Sequence, residues 1–295
     1  MRSERFKPTV NPVMGPRRSL IEEPAVEPLP NPPTPPPQPI APAIMASASI
    51  WLDELGAQWN GGRLTGWTNR GTDGSTFDIA TTENPENTYW GLRNNRPFLQ
   101  LSGEGCRGLI AGPEVRVNDW EGEIWAVARY GYAEQGSIDG VAARGWFIDQ
   151  HQNPLETLRH IRVGFTNRFP PSEHNPSFYI NKGYGPGQGA GGSYIVAGSG
   201  DQWSMYRARY DKTANRNNIY QSTPRANGGS GANDPFPIWS KISFFGSNTN
   251  RWRGDIAELL IFDQIFDINY SQEAADIEDY LDAKWSCGQW GFDPP

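Results

Sequence analysis

Residues 252–286 read WRGDIAELLIFDQIFDINYSQEAADIEDYLDAKWS. In the first part Ile256, Glu258, Leu260 and Phe262 alternate with Asp255, Ala257, Leu259, Ile261 and Asp263. From 259 to 262 both sets are large and apolar. A strand that is apolar on both faces is buried on both, which suits a strand lying under a helix in a sandwich. The second part supplies that helix. Ser271 is a candidate N-cap, and Glu273 suits the positive end of the helix dipole. Ile277, Leu281 and Trp285 follow at i, i+4 and i+8, one apolar stripe. Helix 271–285 is expected to lie against the sheet and to end before Gly288.

Working outward, the pattern is β. Strands are expected at Ile50–Asp53, Pro97–Leu101, Gly122–Tyr130, Gly145–Asp149, His160–Phe165 and Ser177–Asn181. Further strands are expected at Ser193–Ala197, Gln202–Tyr210, Asn217–Gln221, Lys241–Gly246 and Gly254–Asp263. Turn clusters separate them, at Asn60-Gly61-Gly62, Gly71–Gly74, Gly183–Gly192 and Asn227–Gly231. In EIWAVARY, Ile124, Ala126, Ala128 and Tyr130 share one face, and Glu123, Trp125, Val127 and Arg129 the other. So many strands with Gly-rich loops argue an all-β sandwich or jelly roll. The 33 glycines and 26 prolines are too many for a helical bundle.

Composition changes near residue 45. Half of the prolines lie within the first 42 residues, and the run 22–42 reads EEPAVEPLPNPPTPPPQPIAP. Proline lacks the N–H and restricts its predecessor, so this run is expected to be extended. We read residues 1–46 as an anchoring arm, 47–287 as one β-sandwich domain and 288–295 as a short tail. With 26 basic and 33 acidic residues the net charge is −7, which excludes nucleic-acid binding by bulk charge. Mean hydropathy is −0.64. No stretch approaches the roughly 20 apolar residues of a bilayer-spanning helix, and no signal peptide is visible at the N-terminus. Cys106 and Cys287 are read either as separate buried thiols or as one bridge.

The sequence also resembles a known family. IWLDELG with LTGWTNRGTDG (50–56 and 64–74), NRPFLQLSGEGCRGLIAGP (95–113) and above all 252–286 are similar to elements of laminin-G-like, concanavalin A-like domains found in phage and bacterial proteins. The resemblance covers about residues 47–286. It implies a two-sheet jelly roll and, in many relatives, glycan or protein binding without catalysis. Some relatives bind calcium at a sandwich edge. This sets a calcium-ligand role for Glu258 beside the plainer one of a hydrogen-bonded structural carboxylate, and leaves calcium as the one cofactor in view.

Three functions follow as expectations. The first is a non-enzymatic virion surface protein, a capsid decoration or head fibre. Its arm would dock on the major capsid protein or another virion component, and its lectin-like domain would adhere weakly to host-surface glycans. Homo-oligomerisation would be typical of such proteins. The second is a glycan-depolymerising hydrolase. Glycosidases set two carboxylates about 5–9 Å apart, and Asp119, Glu121 and Glu123 alternate in NDWEGEIW. The third is a cellular carbohydrate-binding module. Sugars stack on aromatic faces while polar groups fix their hydroxyls. Candidates in or beside loops are Trp90, Tyr184, Trp203, Tyr206, Tyr220 and Trp239. Trp203, Tyr206, Arg207 and Tyr184 are the expected ligand surface. Trp51, Trp125 and Trp285 are assigned to the core.

Overall fold

The computed structural model describes residues 30–73, 76–79, 88–101, 109–110, 121–130, 144–150, 160–166, 177–183, 191–196, 202–214, 216–223, 226–231, 242–244, 254–266 and 271–289. The chain is an all-β, two-sheet open sandwich with one C-terminal helix. Its strands are β1 (Ile50–Leu52), β2 (Ala57–Asn60), β3 (Arg63–Thr68), β4 (Thr76–Ile79), β5 (Thr88–Arg93) and β6 (Arg96–Leu101). Next come β7 (Leu109–Ile110), β8 (Gly122–Tyr130), β9 (Arg144–Gln150), β10 (His160–Thr166), β11 (Ser177–Gly183) and β12 (Gly191–Val196). The last are β13 (Ser204–Asp211), β14 (Arg216–Gln221), β15 (Ala226–Gly231), β16 (Ile242–Phe244) and β17 (Gly254–Phe262), followed by helix α1 (Gln272–Trp285).

One sheet runs β15-β14-β13-β8-β17-β6-β5, with β1 also on β17; the other runs β12-β11-β10-β9-β16-β7-β4-β3-β2. β17 is the hub of the first sheet. β8 pairs along its length, β6 takes Gly254–Ile256 and β1 takes Leu259–Ile261, all antiparallel. This is why its sequence is apolar at both parities: residues 255–262 are all buried. The simple alternation breaks at one place. Ile256 pairs with Ala128 but Glu258 with Val127, so Ala257 is the extra residue of a β-bulge. The bulge turns Asp255 and Glu258, three apart, to the same face.

That face is covered by α1. Trp51, Phe98, Trp125, Val127, Trp203, Met205, Leu260 and Phe262 form one buried cluster with Ala274, Ile277, Tyr280, Leu281 and Trp285 of the helix. On the opposite face Ile124, Ala126, Ala128, Leu259, Ile261 and Ala208 are also buried, as expected of residues turned toward a second sheet. The helix starts as read: the Ser271 hydroxyl accepts from the Ala274 N–H at 3.0 Å. It ends on Ser286 in the left-handed region at φ 51°.

Three local readings are corrected. Asn60-Gly61-Gly62 is a turn, but it joins two short strands not foreseen, β2 and β3, whose pairing shifts register between Gln58 and Trp59. Gly61 and Gly62 carry the positive φ values, 58° and 74°, that such a hairpin turn needs. Residues 227–231, read as a turn, lie in β15, which pairs with β14 at the sheet edge. The sequence ANGGSG has no apolar alternation, so it leaves no strand pattern to read. Residues 30–42 of the proline run carry no helix or strand, as expected, but they do not project from the domain. Pro30 and Pro36–Pro37 offer their carbonyls to Trp90 and Arg96, and Asn31 accepts from the Gly62 N–H. A 3-10 turn at Ala43–Ser47 then drops Met45 into the core below the helix. The first 29 residues of the expected arm lie outside the described residues.

Candidate functional site

Polar side chains collect in two places on the helix-covered face. The first is enclosed at its centre, with Arg70 at its rim. Lys284 Nζ lies 2.9 Å from Glu54 Oε2, 2.9 Å from Glu258 Oε2 and 3.3 Å from Asp53 Oδ2. Glu258 also accepts from the indole N–H groups of Trp51 and Trp285, each at 2.7 Å. Arg70 pairs with Asp53, Arg96 pairs with Glu54 at 2.9 Å, and Gln38 donates to both acids. Three carboxylates thus meet three cations. Burial alone would lower the Lys284 ammonium, but Glu258, Asp53 and Glu54 outweigh it and hold it above the ordinary lysine range. Burial raises Glu258, against the pull of Lys284. The cluster draws Trp51, Asp53, Glu54, Glu258, Lys284 and Trp285 from the two ends of the domain, and together they pin β1, β17 and α1.

It also answers the metal question for Glu258. Both its oxygens are taken by N–H donors and an ammonium, so it is a structural carboxylate. The acids around it are neutralised by fixed side-chain cations, which does not fit a calcium cage. Among the described residues no group of three or more His, Cys, Asp or Glu could hold a metal ion.

The expected hydrolase carboxylates are likewise committed. Glu123 receives a bidentate pair from Arg207, 2.7 Å to each oxygen, and also the Trp125 indole N–H and the Phe266 N–H. Glu121 caps a turn by accepting from the Lys212 and Thr213 N–H groups at 2.8 and 3.1 Å. Asp119 lies outside the described residues.

The second place is open to solvent. A cavity of about 560 Å³ is lined by Leu92, Arg93, Phe98, Arg129, Gln202, Trp203, Thr223, Ser286, Cys287 and Gly288. Five segments build it. The β5–β6 hairpin turns through Asn94 and Asn95, both at positive φ (50° and 57°), and delivers Arg93 and Asn94 to the helix end. Arg93 donates to the carbonyls of Trp285 and Ser286, and Asn94 Nδ2 to that of Lys284 at 3.0 Å. The last carbonyls of a helix lack intrahelical partners and carry partial negative charge, so an arginine fits there. β8 delivers Arg129, held by Asp255 through its Nε at 2.7 Å. Trp203 enters from the start of β13, Thr223 from the turn after β14, and Ser286–Gly288 from the end of α1.

Trp203 is the floor. Phe98 meets it edge-on at 4.8 Å between centroids. A Cβ on Gly91 would come within 2.3 Å of the Phe98 ring, so only glycine leaves room for that packing. The guanidinium carbons of Arg93 and Arg129 lie 5.1 and 5.6 Å from the Trp203 ring centroid, within cation–π range. Burial lowers Arg93, opposed by the charge of the Asp282 carboxylate. Burial pushes the Cys287 thiol up, so it stays protonated. Burial raises Asp255 as well, against the charge of Arg129.

Of the four ligand residues expected from sequence, the structure brings Trp203 to the cavity. Arg207 faces the same side of β13 but is 3% exposed and closed off by Glu123, with Trp125 and Tyr220 against its guanidinium. Tyr206, also 3% exposed, sits at the other parity, on the face away from the helix. Neither reaches the cavity. Tyr184 lies outside the described residues, as do Trp239 and Cys106. Trp90 is tied to the proline segment, and Tyr220 is buried. The sequence reading missed Arg93, Gln202, Thr223 and Ser286. Arg129 was placed correctly by alternation with Trp125 and Val127, but nothing in sequence announced that Arg93 would join it.

No family model matches the chain, and no curated protein matches it. Solved structures do. The carbohydrate-binding module CBM40 of the Ruminococcus gnavus IT-sialidase aligns at TM-score 0.38 and 8% identity, over 58% of this chain and 91% of that one. The Trypanosoma rangeli sialidase aligns at TM-score 0.44 and 11% identity, over 83% of this chain and 34% of that one. The enzymatically active domain of bacteriophage CBA120 tailspike protein 2 aligns at 0.43 and 11%, over 71% and 31%. What is shared is a β-sandwich fold, which at these identities assigns no role and does not single out virion proteins. The expectation of a non-enzymatic protein is withdrawn: a sialidase and an enzymatically active tailspike domain are among the similar folds. The sandwich therefore gives no ground for ruling out an activity.

Proposed function

We propose that the chain is a carbohydrate-binding domain on a concanavalin A-like jelly roll, and that the cavity over Trp203 is its glycan site. The observation that carries this reading is the lining itself. An apolar wall of Leu92, Phe98 and Trp203 faces hydroxyl- and amide-bearing Gln202, Thr223 and Ser286 and two arginines. Sugars need this mixture, with C–H faces against apolar side chains and hydroxyls against convergent polar groups. The cavity volume of about 560 Å³ falls among those of small-ligand sites.

The test is a glycan array probed with the full chain, with calcium and with chelator. Binding to a defined set of glycans supports the reading, and the wider the spread of unrelated glycans bound, the weaker the support. Binding that chelator leaves unchanged agrees with the absence of a calcium cage among the described residues. No binding to any glycan overturns the reading.

A further inference from the structure

We infer that the cavity at the end of α1 recognises the carboxylate of an acidic sugar. This rests on the glycan-binding reading above and adds the charge class of the ligand. The charged residues lining the cavity, Arg93 and Arg129, are both cationic. Their charges differ in how they are met. Arg129 shares its charge with Asp255, while Arg93 is held by the neutral carbonyls of Trp285 and Ser286. Those carbonyls orient the guanidinium without cancelling it. Asp282 acts on Arg93 through space, and its carboxylate accepts from the Gly288 N–H at 2.7 Å. Neither Asp255 nor Asp282 lines the cavity, so the charge that its wall presents to a ligand is that of the two arginines.

Trp203 favours a charged sugar over a neutral one. Its side chain is buried under Phe98 and the two guanidinium groups, and the residue is 8% exposed. Little of the ring is left open for a neutral hexose to stack on. The indole instead acts as a plate that holds two guanidinium groups in place. Fixed guanidinium groups are the best side-chain partner for a carboxylate, through paired charge-assisted hydrogen bonds. Around them Gln202, Thr223 and Ser286 can exchange hydrogen bonds with ring hydroxyls, and half-exposed Leu92 can cover ring C–H groups. A sugar acid carries all three features on one ring.

The experiment is an equilibrium titration of the full chain with a panel of three methyl glycosides: glucuronic acid, galacturonic acid and N-acetylneuraminic acid. Each is measured beside its own methyl ester, with methyl glucoside and inorganic phosphate as controls. Esterification removes the charge and leaves the ring unchanged, so no protein variant need fold for the comparison to work. At least one acid is expected to bind about tenfold tighter than its ester. Leu92→Glu places a negative charge at an exposed position on the cavity wall and should weaken that acid about tenfold while leaving the thermal midpoint unchanged. Equal binding of acids and esters, or of glucoside, overturns the charge assignment and leaves the glycan-binding reading standing. Phosphate binding as tightly as every acid marks a general anion site and overturns the acidic-sugar assignment. If neither acid nor neutral sugar binds, and the glycan array is blank as well, both readings fall together.

Discussion

The last turn of α1 stands between two charged environments. On one side Lys284 reaches into a cluster where Asp53, Glu54 and Glu258 are all 0% exposed at the side chain and every charge has an opposite in contact. On the other, two residues further along the chain, the cavity keeps Arg129 at 37% side-chain exposure and Arg93 against carbonyls. The contrast separates structural from available charge. A buried ion loses its hydration and must be fully countered, so the buried acids and Lys284 sit in a charge-neutral cluster, with Arg70 alone reaching its rim. An ion left at a rim keeps water as its partner and can exchange that water for a ligand. The two sites share a helix and similar residue types, and they differ in how completely their charges are matched.

The comparison breaks most visibly at Lys284. Lys284→Met leaves three buried carboxylates with one cation fewer, and should cost about 3–5 kcal/mol, enough to abolish folding of a marginal domain. Arg93→Gln removes hydrogen bonds to helix-end carbonyls at a half-exposed site, and should cost about 1–2 kcal/mol. Denaturant titration of both variants checks the order. If Arg93→Gln is the more damaging, the cavity arginine is structural and the contrast fails.

A second break comes from the proline segment. Gln38 and the carbonyls of Pro36 and Pro37 complete the cluster by holding Asp53, Glu54 and Arg96. Deleting residues 2–42 should therefore cost about 2–3 kcal/mol through unsatisfied charged groups. Deleting 2–29 removes none of these contacts and should leave the unfolding midpoint where it is. Equal midpoints for the two truncations would show that the segment does not close the cluster.

These cases also show what was legible in sequence. The apolar run 259–262 and the Ser271 cap gave the central strand and the helix, because burial on two faces and a capped stripe leave direct marks. The parities of β8 and β13 placed Trp125, Arg129 and Trp203 on one face. The bulge at Ala257 was invisible, since a register shift depends on the partner strand. β15 was invisible because glycines pair without side chains. Arg93 and Arg129 are 36 positions apart in sequence, and no local pattern foretells that a hairpin tip will reach a helix end. Arg207 misled for a related reason. An arginine beside aromatics in a strand reads the same whether its carboxylate partner is a ligand or Glu123 on the neighbouring strand.

Alkaline pH should loosen both sides of the helix end. The Lys284 ammonium and the Cys287 thiol both have folded-state pKa values raised above their unfolded ones. Each therefore contributes stability that is present below its unfolded value, about 8.5 for cysteine and about 10.4 for lysine. That stability is lost progressively as pH rises toward the folded value, because the unfolded chain releases its protons first. The thermal midpoint should fall from pH 8 to pH 10.5. A flat profile over that range would mean that neither group is held as the structure shows.

The smallest effect is the sharpest test of the open side. Asp255 is the acid that offsets Arg129, and burial raises its pKa, so its ionised form is costly where it stands. Asp255→Asn removes that cost and one countercharge together, while the amide can still accept from Arg129. The two stability terms oppose each other, and the midpoint should move little. The cavity, however, becomes more positive by one unit at a distance where exposed pairs are worth about 0.6 kcal/mol. An acidic sugar should then bind about threefold tighter, with its methyl ester unaffected. The matching change in the closed cluster, removing one acid by Glu258→Gln, should instead destabilise the fold, because there the acid is the countercharge of a lysine that water cannot reach. Opposite outcomes for the same chemical substitution, a few residues apart on β17, are what a structural charge site and a ligand-binding one must give.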